Sequence, residues 1–385
     1  MILLFSYPVH GLIAQNSDTR ADTTSADADN ERIGTSIAFV PALGFNSNSG
    51  VSVGGLAQRF DYGDGTTKPF DNFTKVRSLI STKGRFIFKI DFDITKSFGT
   101  DIRSQFFFEA LKFDEMVFAG IGNNTPFNRT EFDNDIFFFD ERRIQLQYFA
   151  RKRFTQLGQR GFVDLFLSSQ VAFSSPRSLF DETILFQQQP NGIDGGWINW
   201  FGLGFIIDSR NSEFNPTRGF FIQTEASLSD NIFGSDYDFG LFKSDVRHFL
   251  QVIPNLVLAQ RLRVEHVTGN APFWELASLG SDESLRGFIE DRFRGDTSIL
   301  NITELRTWLF ETKVFGVDLD IGFQTFYDTG RVFTADDANA LFKNWKKTYG
   351  AGVAFSAFSP DFIARIEIGH SDEISRIYFS TSYAF

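Results

Sequence analysis

From Arg85 to Asp93 the chain alternates. Phe86, Phe88, Ile90 and Phe92 fall on one side of an extended strand, and Arg85, Lys89, Asp91 and Asp93 on the other. Successive strand residues point to opposite faces, so this segment separates an apolar surface from a charged one. The pattern recurs. Phe242, Val246 and Leu250 oppose Lys243, Asp245 and Arg247; Leu258, Leu262 and Val264 oppose Arg261, Arg263 and Glu265; Phe362, Ile366 and Ile368 oppose Arg365 and Glu367. At the C-terminus Ile377, Phe379, Tyr383 and Phe385 share one parity, and Tyr378, Ser380, Ser382 and Ala384 the other. One such strand fits a soluble sheet edge. Repetition along the chain fits strands with lipid on one side and water on the other.

Composition agrees. There are 50 Phe in 385 residues, more aromatic surface than a soluble core of this size needs, yet mean hydropathy is -0.14. No run approaches the roughly 18 apolar residues of a membrane helix. Spanning strands show only alternate residues to lipid, which reconciles the two facts. The net charge of -11, with no extended Lys/Arg cluster, argues against a nucleic-acid partner. With no cysteine there is no disulfide, thiolate chemistry or Cys-based metal site. His10, His248, His266 and His370 sit near no Ser/Asp or Glu constellation, and no Gly-x-Ser-x-Gly elbow exists. Gly120-Ile121-Gly122 opens a polar loop rather than a helix, against a dinucleotide site. The chain reads as non-enzymatic, with no cofactor and no metal.

Residues 1–14 resemble a short secretory signal cut after Ala14, although no Lys or Arg precedes it and Pro8 and His10 interrupt it. Residues 15–32 read as a disordered polar linker. Within 33–385 the alternation predicts sixteen strands, near 35–46, 50–62, 73–82, 85–95, 101–113, 138–154, 161–173, 195–208, 217–229, 237–250, 255–268, 297–311, 315–328, 346–358, 361–371 and 375–385. Connections after strands 4, 10, 12 and 14 are short; those after 5, 7, 11 and 13 are long. The expected fold is an all-β, sixteen-stranded antiparallel transmembrane outer-membrane β-barrel with a wet interior. Arg103, Glu109, Arg143 and Asp245 then read as structural ion-pairing groups of that interior.

By parity, strand 13 points Val317, Leu319, Ile321, Phe323 and Tyr327 at lipid, and Asp318, Asp320, Gln324, Phe326 and Asp328 inward. The long connection after strand 11, about 269–296, holds Leu285-Arg286-Gly287-Phe288. The expectation is that it folds inward, with Arg286 paired to Asp328 and lying over Phe326, and Gly287 at the tight tip. The alternative, that both are ordinary loop residues, stays open on parity alone.

Leu285-Arg286-Gly287-Phe288 resembles the Val-Arg-Gly-Phe/Tyr loop-six motif of the BamA/TamA superfamily of outer-membrane assembly and translocation barrels. Phe326-Tyr327-Asp328-Thr329-Gly330 is similar to that family's strand-13 motif. Asp208-Ser209-Arg210-Asn211, with Pro216 and Gly219, resembles its periplasmic turn between strands 8 and 9. Asn301 with Glu304-Leu305-Arg306 resembles its strand 12. Phe118-Ala119-Gly120-Ile121-Gly122-Asn123 resembles a loop of its bacterial surface-antigen branch. The resemblance implies a multi-pass protein of the Gram-negative outer membrane that assists insertion or export of outer-membrane proteins. Its implied partners are outer-membrane lipids and other envelope proteins or a barrel-assembly complex. It also implies a lateral seam between the first and last strands, carried by Pro41, Gly44, Tyr383 and Phe385. Pro41 has no N–H to give a ladder, and Gly44 weakens its strand. POTRA domains usually precede such barrels, and residues 1–32 are too few for one, since fewer than about 40 residues hold no domain without staples. An anchoring subunit of a larger complex and a solute pore are the competing functions.

The purified protein is expected to be heat-modifiable. Unboiled and boiled samples should migrate differently on gels, and circular dichroism should show strand with little helix. Identical migration together with substantial helix would end this reading.

Overall fold

The structure, a computed structural model, describes residues 2–4, 33–46, 50–67, 70–82, 84–213, 215–314, 317–335, 343–357, 363–380 and 383–385. The expected signal (1–14) and linker (15–32) lie outside them, apart from a three-residue strand, Ile2–Leu4, antiparallel to Ala42–Gly44. Among the described residues no helix is long and apolar enough to cross a membrane, which does not bear on crossing by strands. The chain divides into two units, residues 1–113 with 143–150, and residues 114–142 with 151–385.

The first unit is built from β1 (Thr35–Asn46), β2 (Gly50–Asp61), β3 (Asn72–Ser81), β4 (Phe86–Ser97) and the start of β5 (Ile102–Val117). Each pairs antiparallel with the next. The charged face foreseen on β4 is neutralised across neighbours. Lys75 meets Asp91 at 3.0 Å, Lys89 meets Glu109, and Arg103 holds Asp93 with Nε and Nη2 at 2.9 and 2.7 Å. The last pair is bidentate and nearly buried, the geometry in which such pairs hold best.

β6 (Phe138–Leu157) contributes residues 143–150 to the first unit and its remaining residues to the second. The second unit continues through β7 (Gly161–Ser178), β8 (Gly196–Asp208), β9 (Gly219–Ser229), β10 (Phe239–Ile253), β11 (Leu256–Gly269), β12 (Thr297–Val314), β13 (Val317–Phe333), β14 (Lys346–Ala357), β15 (Ile363–His370) and β16 (Ser375–Ser380). From β7 to β16 every consecutive pair is antiparallel. One face leaves large apolar groups uncovered, among them Leu203 at 71% exposure and Ile377 at 63%. The opposite face is covered by the β11–β12 connection. That connection carries its own short ladder, Ala277–Leu279 against Phe293–Gly295. Its Leu279, Leu285, Phe288 and Phe293 pack with Phe249, Val257, Leu300, Ile302 and Val332 of the sheet. An apolar core thus lies between loop and sheet, and an apolar surface faces away.

Expected strand ends are corrected at three places: β7 runs to Ser178 rather than residue 173, and two others bear on the site. Strand 13 does not stop at Asp328: β13 runs to Phe333, which places Phe326 and Asp328 in mid-strand under the loop. The last strand does not reach Phe385. It ends at Ser380, and Tyr383, Ala384 and Phe385 are outside any strand and at most 8% exposed. The reason is on the inner face. Arg261 Nη1 donates to the Ala384 carbonyl and Arg306 Nη2 to that of Phe385, both at 3.2 Å. The Arg306 guanidinium lies 3.9 Å from the Tyr383 ring centroid and 4.8 Å from that of Phe385. Cation–π contact and two acceptors for buried donors outweigh the exposure to lipid that parity promised the two rings.

Candidate functional site

Arg286 is 0% exposed. Its Nε and Nη2 donate to Asp328 Oδ2 and Oδ1 at 2.9 and 2.7 Å, a bidentate pair. Its Nη1 donates to Glu304 Oε1 at 2.6 Å and Glu367 Oε1 at 2.9 Å. The guanidinium lies 3.4 Å from the Phe326 centroid. Three strands therefore supply its surroundings: Glu304 from β12, Phe326 and Asp328 from β13, Glu367 from β15. Two further guanidinium groups enter from the same strands at i+2 and i−2, where period 2 keeps a face. Arg306 Nη2 meets Glu304 Oε2 at 2.7 Å, and Arg365 meets Glu367. Three cations and three carboxylates make the cluster formally neutral.

The loop tip is held by backbone. Gly287 has φ +102°, the left-handed region where a Cβ is strained. A Cβ there would also fall 2.8 Å from the His370 carbonyl carbon. Its N–H donates to Tyr378 Oη at 2.7 Å, and its carbonyl accepts from Ser371 Oγ at 3.0 Å. Phe288 points the other way, edge-to-face with Phe293 at 5.0 Å. Gly330 lies beneath Leu279 and Leu285, where a Cβ would meet their Cδ1 atoms at 2.9 and 3.3 Å. So the structure brings Arg286, Gly287, Phe288, Phe326, Asp328 and Gly330 together at one place.

Two more arginines tie the same loop to others. Arg292 donates through Nε and Nη2 to Glu373 at 2.7 and 2.8 Å, and to Thr125 Oγ1 and carbonyl at 2.6 and 2.8 Å. Burial pushes the Glu373 carboxyl up from its ordinary range, against the pull of Arg292 and Lys346. Arg294 reaches the Val117 carbonyl at 3.2 Å and Asp291 at 2.8 Å.

The turn between β8 and β9 is a separate place. Asp208 accepts from the Arg210 N–H, Nε and Nη2 at 2.9, 3.0 and 2.7 Å, and Arg210 lies over Phe221 at 4.4 Å. Pro216 is buried, and Gly219 has φ +102°. Of the seam residues, Pro41 stands in β1 opposite Gly55, and Gly44 opposite Ser52. Tyr383 and Phe385 lie on the inner face as described. Sequence reasoning missed Glu367, Tyr378 and Ser371 as partners of the loop. It also missed Gly350 and Gly369, where a Cβ would strike Phe326 at 2.2 Å and the Arg286 carbonyl carbon at 2.9 Å. The inward parity of Glu367 and the small residues opposite bulky ones were the available signals.

The Omp85 superfamily domain matches residues 167–385, which hold the Arg286 cluster and the turn between β8 and β9. The chain belongs to the Omp85 superfamily. Its fold class is the antiparallel outer-membrane β-barrel of that family, with the β11–β12 loop turned inward. Solved structures agree on fold. BamA from Haemophilus ducreyi lacking POTRA domains 1–3 is 14% identical, with 90% of this chain and 70% of that one covered and a TM-score of 0.55. CdiB from Escherichia coli is 12% identical, covering 90% and 61%, at 0.59. CdiB from Acinetobacter baumannii is 10% identical, covering 91% and 60%, at 0.52. The chain thus spans about three fifths of either CdiB chain. No curated protein sequence matches it.

Removing Arg286 leaves Asp328 with no cation, while Glu304 and Glu367 keep Arg306 and Arg365. Removing Asp328 leaves Arg286 with two carboxylates. Arg286→Ala is therefore expected to cost about 3–5 kcal/mol, the usual loss when a buried charge is stranded, and Asp328→Ala distinctly less. Urea unfolding in detergent checks the order, and the reverse ranking would refute this account of the cluster.

Proposed function

We propose that this Omp85-type chain assists the insertion or export of other proteins at the outer membrane of a Gram-negative bacterium. The observation that carries the reading is the Arg286 loop docked on β12, β13 and β15, within the residues that the family domain covers. A loop held this firmly braces one wall, so that movement concentrates elsewhere. The route we assign to a client is edge addition, in which an incoming strand pairs with exposed backbone. Pro41 withholds one donor from β1, and β16 offers six residues. Strands with few ladder groups to lose are suited to exchange partners.

Reconstitution tests the reading directly. Liposomes carrying the full chain should insert a urea-denatured small barrel protein faster than empty liposomes do, and Arg286→Ala should reduce the gain. Insertion at the empty-liposome rate, from protein shown by heat-modifiability to be folded, would favour the anchoring role.

A further inference from the structure

On the outward face of β13, β14 and β15 the residues are ordered in rows. Phe323, Val353 and Ile366 stand opposite one another, and all three are at least a third exposed. Thr325, Ala351 and Ile368 form the next row. Then come Tyr327, Tyr349 and His370, with Tyr349 59% exposed and its ring 5.2 Å from His370. One row further, Thr329 stands opposite Lys347. Rows of one face are spaced about 7 Å along a strand. The order is apolar, then amphipathic rings, then a cation: the profile of acyl chain, interface and headgroup.

At that last row a cavity of about 400 Å³ is lined by Thr329, Asn344, Trp345 and Lys347. Its rim is fixed from behind. The Lys343 carbonyl accepts from Arg331, and that of Asn344 from Asn123 Nδ2 at 2.8 Å. The backbone is thereby committed inward. Among the described residues the Thr329 hydroxyl, the Asn344 amide and the exposed Lys347 ammonium have no hydrogen-bond or ion-pair partner. Lys346 turns to the inner face, 4.7 Å from the Phe293 centroid, and leaves Lys347 as the ammonium that lines the cavity. An unpaired ammonium beside uncommitted polar groups is what an anionic ligand needs.

We propose that this cavity binds the phosphorylated sugar headgroup of a glycolipid in the leaflet on the side of the long loops. Lys347 takes the phosphate, Asn344 and Thr329 take sugar hydroxyls, and the Trp345 indole supplies an apolar wall. The acyl chains continue down past Tyr327 and Tyr349 onto Phe323 and Val353. The site stands whether or not the chain inserts clients.

The test uses the full chain in phosphatidylcholine nanodiscs, titrated with lipid A and read by native mass spectrometry. Wild type should retain lipid A, and less of its dephosphorylated form. Lys347→Glu should weaken retention about tenfold, the scale of one charged hydrogen bond. Lys347→Gln should weaken it less, and Arg177→Glu, another exposed cation, should leave it unchanged. Folding of each variant is checked by heat-modifiability. Equal retention by wild type and both Lys347 variants would overturn the proposal. So would equal retention of phosphatidylglycerol, or full displacement by millimolar inorganic phosphate, which would mark an unspecific anion site.

Discussion

A guanidinium removed from water is tolerable only where carboxylates replace the solvent, because burying an unpaired ion costs several kcal/mol after relaxation. Arg286 meets that condition by drawing acidic groups from β12, β13 and β15 to one point. Three carboxylates against one cation would overshoot. Arg306 and Arg365, each two residues from a carboxylate on its own strand, restore neutrality. The loop's position is therefore specified by charge count as well as by shape. Elsewhere on the sheet Arg286 would be an unpaired buried ion, and without it Asp328 would be one. The glycines follow from this. Gly350 makes room for the Phe326 ring and Gly369 for the loop backbone, so a side chain at either would lift the guanidinium off its partners.

Arg306 links this cluster to the end of the chain. One guanidinium serves the Glu304 carboxylate, the Phe385 carbonyl and the rings of Tyr383 and Phe385. The tail and the loop consequently share an electrostatic neighbour. Withdrawing the tail would remove the two rings nearest Arg306 and one acceptor of its donors.

Much of this was legible in residue order. Period-2 alternation specified which residues of β4, β10, β11 and β13 share a face, because the pleat allows no other assignment. The same parity put Phe326 and Asp328 on the face that the loop covers. Three things were not legible. Glu367 looked like one more inner-face charge, since only register across three strands brings it to Arg286. Gly350 and Gly369 carry no chemistry of their own, and their role is the absence of a side chain. The tail misled, because Tyr383 and Phe385 continue the lipid parity of Ile377. Parity assumes that a strand continues, and here buried arginines with unfilled donors ended it.

The covered face also bears on what can pass along it. Leu285, Phe288, Ile289 and Phe293 are at most 1% exposed, and Arg286 and Arg292 are 0% exposed. A solute moving along this face would have to separate Arg286 from three carboxylates and Arg292 from Glu373 and Thr125. Each step strands a buried charge, at a cost far above thermal energy. The energetics thus leave the loop-covered face as the fixed part of this sheet.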